Sequence, residues 1–137
     1  MPEVILVCVS YDLPMAEGLA EMFDVAGYSV GDQVFDDAAL ARAVAGVLVL
    51  SSAALACEKF RTAAERVLGA GKAVVASLEE ARLSSFGEAP VFDLSDWYGE
   101  AQDARLDRLF FTVERMRRGA RLRAQAEPPP LEERVIA

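Results

Sequence analysis

Apolar residues form distinct blocks along the chain, and the first block is the most regular. Residues 4–9 are a continuous apolar run rich in β-branched side chains, which predicts a strand covered on both faces. After a polar turn, apolar residues recur at helical spacing over residues 16–26. Pro14 suits the first turn of that helix, and Gly27 suits its end. A second short strand is expected over residues 28–30.

The same patterns divide the rest of the chain into alternating strands and helices. The predicted elements are a short helix over residues 38–43 capped by Asp36 or Asp37, a buried strand over 44–50, a helix over 53–68, a strand over 73–76, a short edge strand with Val91, Phe92 and Leu94, and a helix over 103–118. Strands that alternate with helices are typical of an open parallel sheet. The sequence therefore predicts an α/β fold of the flavodoxin-like kind, with five parallel strands and helices on both faces.

The chain changes character after Gly119. Three consecutive prolines at residues 128–130 withhold backbone donors and favour an extended conformation. We therefore expect one domain over residues 1–119 and a tail over residues 120–137. Its last apolar residues, Leu131, Val135 and Ile136, are either disordered or available to dock on the domain or on a neighbour.

The net charge argues against several classes of partner, although local basic patches remain possible. The formal net charge of −8 argues against a protein that binds nucleic acid or an anionic membrane as a whole. A basic cluster near the end of the last helix suits that helix's C-terminal dipole. No apolar run is long enough to span a bilayer, and the start of the chain does not have the pattern of a secretory signal. A cytoplasmic protein without membrane insertion is expected.

The chain contains no histidine and only two cysteines. A Ser-His-Asp or Cys-His catalytic arrangement therefore cannot be built. Cys8 lies in the first strand and Cys57 near the start of the helix predicted over residues 53–68, without the spacing of a metal or redox motif. The first strand-to-helix loop contains no glycine, which argues against a phosphate cradle. The third strand ends in Ser51 and Ser52 where a phospho-acceptor domain would need an aspartate.

Four segments together resemble a Toll/interleukin-1 receptor (TIR) domain of the bacterial kind. They are VCVSYD, LAEMFDVAGYSV, VLVLSSAAL and GKAVVAS, and the resemblance covers residues 4–118. It implies the flavodoxin-like fold and one of two functions. Members of that family are either self-associating interaction modules in signalling or enzymes that cleave the nicotinamide-ribose bond of NAD.

The resemblance also implies where an enzyme would carry its key glutamate. That residue lies on the helix after the third strand, and counting forward from Ser51 or back from Lys72 reaches Ala63 in this chain. Glu65 is two positions further, about 200° around the helix, and Glu58 is five positions earlier. Family-type catalysis is therefore expected to be absent. The alternative is an NAD hydrolase or a sensor of an NAD derivative that uses Glu65 or Glu58.

A second departure from the family is the short connection over residues 31–43. In the family the corresponding loop forms part of the nucleotide pocket, so we expect at most a vestigial pocket. Its candidate residues are Ser10, Tyr11, Asp12 and Ser51. The sequence thus predicts a non-catalytic interaction or oligomerisation module, a scaffold in signalling. Its expected surfaces are the sheet edge at Val91, Phe92 and Leu94, the outer face of the last helix, and the tail.

Overall fold

Four parallel strands form the central sheet in the computed structural model, which describes residues 3–31, 37–79, 89–95, 97 and 103–126. The strands are β1 (Val4–Val7), β2 (Ala45–Leu50), β3 (Ala73–Ser77) and β4 (Val91–Asp93). They lie side by side in chain order, and each neighbouring pair is parallel. The helices are α1 (Leu13–Val25), α2 (Asp37–Arg42), α3 (Ser52–Leu55), α4 (Glu58–Gly69) and α5 (Ala104–Ala126). The predicted α/β class with an open parallel sheet is confirmed.

The expected strand over residues 28–30 is reduced to one bridge. Val30 pairs in parallel with Val4, and the carbonyl of Ser29 accepts hydrogen bonds from the N–H groups of Glu3 and Val4. Tyr28 instead turns its side chain into the core, where it is 4% exposed. With one apolar residue left to pair and Gly31 directly after it, the segment does not extend into a ladder. The described residues therefore hold a sheet of four strands instead of the five predicted, and a single bridge at Val30 stands where the second predicted strand was expected.

Two apolar layers cover the two faces of the sheet. Alternate residues of each strand point to opposite faces, so Leu6 joins the cluster under α1 and α5 while Val7 joins the cluster under α2 and α4. The first cluster includes Leu19, Phe23 and Trp97, which are at most 1% exposed. Burying a side chain of this size stabilises the fold by about 1.5–3 kcal/mol. The sheet is thus covered on both faces, as its continuous apolar runs predict.

The helix predicted over residues 53–68 is broken into α3 and α4. Cys57 has an extended backbone, with φ −95° and ψ 118°, and therefore interrupts the helical hydrogen bonding. Ser51 starts α3 as its N-cap, because its side chain accepts a hydrogen bond from the N–H of Ala54. The break turns the chain so that α4 can pack Phe60, Ala64 and Val67 against the sheet.

Helix α5 runs beyond the predicted helix end at residue 118. It continues without interruption through Gly119 to Ala126, so the expected boundary between domain and tail falls inside the helix. Leu106, Leu109 and Val113 are fully buried against the sheet. The tail residues Leu131, Val135 and Ile136 lie outside the described residues.

A polar cluster fastens α5 to the amino-terminal end of the sheet. The hydroxyl of Tyr28 donates a 2.5 Å hydrogen bond to Glu114, and the Arg117 guanidinium lies 4.2 Å from the centre of the Tyr28 ring. Arg117 also pairs with Glu114 at 2.6 Å and with Glu3 at 3.7 Å. Burial, together with the bond to Glu114, raises the pKa of Tyr28 to about 12. Within the described residues, no helix combines the length and apolar character that crossing a membrane requires.

Candidate functional site

The loops that follow β1, β2 and β3 meet at the carboxyl end of the sheet, where ligands usually bind in parallel α/β folds. A short 3₁₀ turn, Ser10–Asp12, follows β1 and leads directly into α1. Ser51 and Ser52 follow β2, and Ser77 and Glu79 lie at the end of β3. The geometry of these few side chains decides whether this end of the sheet can hold a ligand.

Asp12 and Ser51 are bonded to each other in the interior. The Ser51 hydroxyl donates a hydrogen bond to the Asp12 carboxylate while it accepts one from the N–H of Ala54. Asp12 is 5% exposed and Ser51 is 4% exposed. A serine next to a carboxylate resembles a nucleophile with its base, but a substrate would have no access to a buried hydroxyl that is already bonded in both directions. The pair therefore joins the loop after β1 to the start of α3.

Glu79 joins the loops after β2 and β3 in a similar way. Its carboxylate accepts hydrogen bonds from the N–H of Ser52 at 2.7 Å and from the hydroxyl of Ser52 at 2.5 Å. The hydroxyl of Ser77 donates to the backbone carbonyl of Glu79. The polar side chains at these strand ends thus bond mainly to one another.

An open groove of about 680 Å³ lies beside these loops, between the end of β1 and helix α4. Its lining comprises Leu6, Val7, Cys8, Val9 and Ser10 on one side, and Cys57, Glu58, Lys59, Phe60, Thr62, Ala63 and Arg66 on the other. The charged residues of the lining are Glu58, Lys59 and Arg66. Burial, followed by the nearby carboxylates of Asp12 and Glu17, raises the pKa of the Cys8 thiol. Cys8 is therefore a neutral thiol near pH 7 and a poor nucleophile.

The four residues expected to form one pocket lie in three different environments. Of the four expected in one pocket, only Ser10 lines the groove; Tyr11 is 82% exposed, and Asp12 and Ser51 are buried in their own bond. The described residues contain no group of three or more His, Cys, Asp or Glu side chains able to hold a metal ion.

The three positions weighed for a catalytic glutamate have different environments. Ala63 lines the groove, whereas Glu65 is exposed and does not belong to the lining, as the turn of about 200° between them requires. Glu58 does line the groove, from the first turn of α4. The spacing along the chain gave no reason to prefer Glu58. Its position in the groove depends on the helix break at Cys57, which was not predicted.

The residues proposed for an interaction surface also differ in their exposure. Val91 and Phe92 lie on the edge strand β4 and are partly buried. Leu94 is 0% exposed and belongs to the core. On α5, Phe111 and Leu122 are each 64% exposed. Among the described residues, the outer face of α5 therefore exposes more large apolar surface, at Phe111 and Leu122, than the sheet edge does.

Comparison with known proteins identifies no relative of this chain. No protein-family model, no curated protein and no solved structure matches it significantly.

Proposed function

We propose that the protein is a non-catalytic, TIR-like interaction module with a flavodoxin-like fold, which acts by self-association or by binding a protein partner. The resemblance in sequence supports the assignment to this family. The bridge between Val30 and Val4 supports the fold, because it adds a strand position on the side of β1 away from β2. Counted from that position, the order of strands along the chain is 2-1-3-4-5, the order typical of flavodoxin-like sheets.

The observation that carries the proposal is the methyl group of Ala63 in the groove. In enzymatic TIR domains the residue at this position is a glutamate, which orients the ribose of NAD. A methyl group can neither accept a hydrogen bond nor stabilise developing positive charge. Asp12 and Ser51 offer no substitute, because they are bonded to each other in the interior.

The rival function is cleavage of NAD through a displaced glutamate. Glu58 favours it more than Glu65 does, because only Glu58 lines the groove. Lys59 and Arg66 would attract the pyrophosphate of a dinucleotide. Against this function, Glu58 is five residues from Ala63, which is about 140° around the helix.

Incubation of the purified protein with NAD separates the two functions. We expect no release of nicotinamide above the rate in buffer, even at high protein concentration. Glu58→Gln is the decisive variant and Glu65→Gln is its matched control, since both glutamates are exposed on α4 but only the first lines the groove. Release that is lost in Glu58→Gln and retained in Glu65→Gln would overturn the proposal.

The interaction function is tested by the mass of the protein in solution. We expect the mass to rise above 14.8 kDa with concentration. The same measurement on a chain that ends at Ala126 asks whether residues 127–137 contribute. A monomer at every concentration in both forms, with no partner retained from a lysate of the source cells, would leave the proposal without support.

A further inference from the structure

The outer face of α5 presents a stripe of exposed apolar and basic side chains. Phe111 and Leu122 are each 64% exposed, and eleven residues of α-helix bring them within about 20° of the same angular position. Arg115 and Arg118 lie between them, are exposed, and fall within about 40° of Phe111. Helix α5 as a whole contains seven basic and two acidic residues, so seven less two gives it a net charge of +5. These four side chains, here called the α5 stripe, therefore suit an occupant that is both apolar and acidic.

The part of the chain that follows α5 has this composition. Residues 127–137, with the sequence EPPPLEERVIA, lie outside the described residues and follow directly after Ala126, where α5 ends. They contain three glutamates and one arginine, so three anions less one cation give them a net charge of −2. They also contain the apolar residues Leu131, Val135 and Ile136. The segment is thus opposite in charge to α5 and has apolar side chains of its own.

The prolines influence how this segment leaves the helix. A residue before proline is disfavoured in the α region, so Pro128 favours an end of α5 before Glu127. Three consecutive prolines also favour an extended chain that rises by about 3.1 Å per residue, whereas a helix rises by about 1.5 Å. A segment that turns back at Glu127 therefore passes about two residues of α5 with each residue of its own.

This ratio aligns the two acidic residues in the middle of the segment with the arginines of the stripe. Measured from the turn, Glu132 and Glu133 lie about 16 Å and 19 Å along an extended chain. Arg118 and Arg115 lie about 14 Å and 18 Å from the same point along the helix. Arg118 already has Glu114 at 3.5 Å, but its side chain is 72% exposed and therefore open to a second carboxylate. Each glutamate of the segment can thus pair with one arginine of the stripe.

The apolar residues meet in the same register. Val135 lies about 25 Å from the turn along the extended chain, and Phe111 lies about 24 Å from it along the helix. Pro129 and Leu122 lie about 6 Å and 8 Å from the turn in the same measure. Apolar contacts thus fall at both ends of the stripe, and the charged contacts fall between them.

We propose that residues 127–137 fold back over the outer face of α5 and cover the α5 stripe. The direct tether gives the segment an effective concentration of about millimolar, and the prolines reduce the entropy that docking costs. The inference goes beyond the proposed function, because it assigns to this face an occupant from the chain itself. A partner that binds the outer face of α5 must displace the segment, which therefore acts as an autoinhibitory cover.

The groove beside β1 is a poorer site for the same segment. Arg117 pairs with Glu3 at the amino-terminal end of the sheet, and α5 continues for nine residues, about 14 Å, past that pair. The groove lies in the other direction, at the carboxyl end of β1. The chain from Glu3 to Ser10 is about 23 Å long, so the groove is about 37 Å from Ala126. Eleven extended residues span only about 34 Å.

Nuclear magnetic resonance of the isotope-labelled full chain tests the docking. The amides of residues 131–136 should be ordered, with order parameters above about 0.6. The ring of Phe111 should also show nuclear Overhauser contacts with the methyl groups of Val135, because the register places them together.

A charge swap tests the register. Variant one is Arg115→Glu with Arg118→Glu, and variant two is Glu132→Arg with Glu133→Arg. In each variant contacts that attract now repel, so the order parameters of the segment should fall below about 0.6 and its contact with the helix should be lost. The chain with all four substitutions should regain both, which also shows that the reversals did not simply prevent folding.

The matched control for net charge is Lys59→Glu with Arg61→Glu on the exposed side of α4, which packs on the opposite face of the sheet. It changes the total charge as much as variant one does. The order parameters of the segment should be the same in this control as in the native chain.

Three outcomes overturn the inference. Order parameters below about 0.6 throughout residues 131–136 of the native chain would show that the segment does not dock. An ordered segment that contacts another surface, or that stays ordered in both charge-reversed variants, would reject the α5 stripe as its site. Order that appears only as the protein concentration rises would assign the segment to a neighbouring copy instead of its own helix.

Discussion

Replacing Gly46 by alanine tests the close packing of α4 against strand β2. A Cβ atom at this position would lie 2.6 Å from Cγ1 of Val67 and 3.2 Å from its Cγ2. Carbon atoms in proteins approach to about 3.5–4.0 Å, so the new methyl group overlaps Val67 by about 1 Å. Val67 is fully buried and its β-branched side chain has little rotamer freedom, so it cannot simply turn away.

The expected loss of stability is the balance of two effects. Overpacking a core costs about 1–3 kcal/mol. Replacing glycine by alanine also reduces the conformational entropy of the unfolded chain. At a strand position whose backbone conformation suits both residues, this stabilises the folded protein by about 0.4–1 kcal/mol. We therefore expect Gly46→Ala to lower the free energy of unfolding by about 1–2 kcal/mol, a large fraction of a total that is typically about 5–15 kcal/mol.

Urea unfolding of four proteins isolates the contact: the native chain, Gly46→Ala, Val67→Ala and the double variant. Val67→Ala alone removes two buried methyl groups, each equivalent to about 0.8 kcal/mol, and leaves a cavity. In the double variant the methyl group added at position 46 enters that cavity, so the loss of stability should be smaller than the sum of the single losses by about 1 kcal/mol or more. A Gly46→Ala protein as stable as the native chain, or strictly additive losses, would refute the reasoning.

Three further predictions use the same unfolding assay. Below about pH 10 the Tyr28 phenol is protonated in both the folded and the unfolded protein, and the stabilisation linked to its raised pKa is fully present. That stabilisation is lost as the pH rises through about 12. Tyr28→Phe should remove this alkaline loss of stability together with the hydrogen bond to Glu114. Gly27→Ala should destabilise by about 1–2 kcal/mol because φ is 94°, whereas Gly69→Ala in α4 should be neutral or stabilising. Ser51→Ala should cost about 1–3 kcal/mol, because it leaves a buried carboxylate without its donor and removes a helix cap. Unchanged stability in the last variant would contradict its role as a structural link.

The sequence predicted the strands well where burial and β-branching coincide. Residues 44–50 and 73–76 became β2 and β3 within a residue at each end, because two-sided burial requires continuous apolar runs. The strand expected over residues 28–30 did not form, because this segment is not a continuous apolar run. It has one apolar residue that pairs, Val30, and a tyrosine whose side chain is buried in the core.

Helix boundaries were less predictable because local residue preferences do not decide them. No proline or glycine marks the break at Cys57; only the capping serine before α3 and the acidic first turn of α4 hint that one helix ends and another begins. The last helix was predicted over residues 103–118, yet α5 passes through Gly119 and places Arg121, Leu122 and Arg123 on the same helix. A single glycine costs only about 1 kcal/mol in a helix, less than the good helix formers around it contribute together.

The candidate site was predictable in position but not in its bonds. Asp12 and Ser51 are 39 residues apart, and their proximity follows from parallel strands that end at one edge of the sheet. That they bond to each other instead of facing the groove depends on side-chain packing, which has no periodic signature. The presence of Glu58 in the groove depends in turn on the unpredicted break at Cys57.

Sedimentation equilibrium of the full native chain, from low micromolar to several hundred micromolar, tests the central claim most directly. An interaction module that associates with itself should show a mass that rises from 14.8 kDa toward twice that value. A mass of 14.8 kDa at every concentration would contradict self-association.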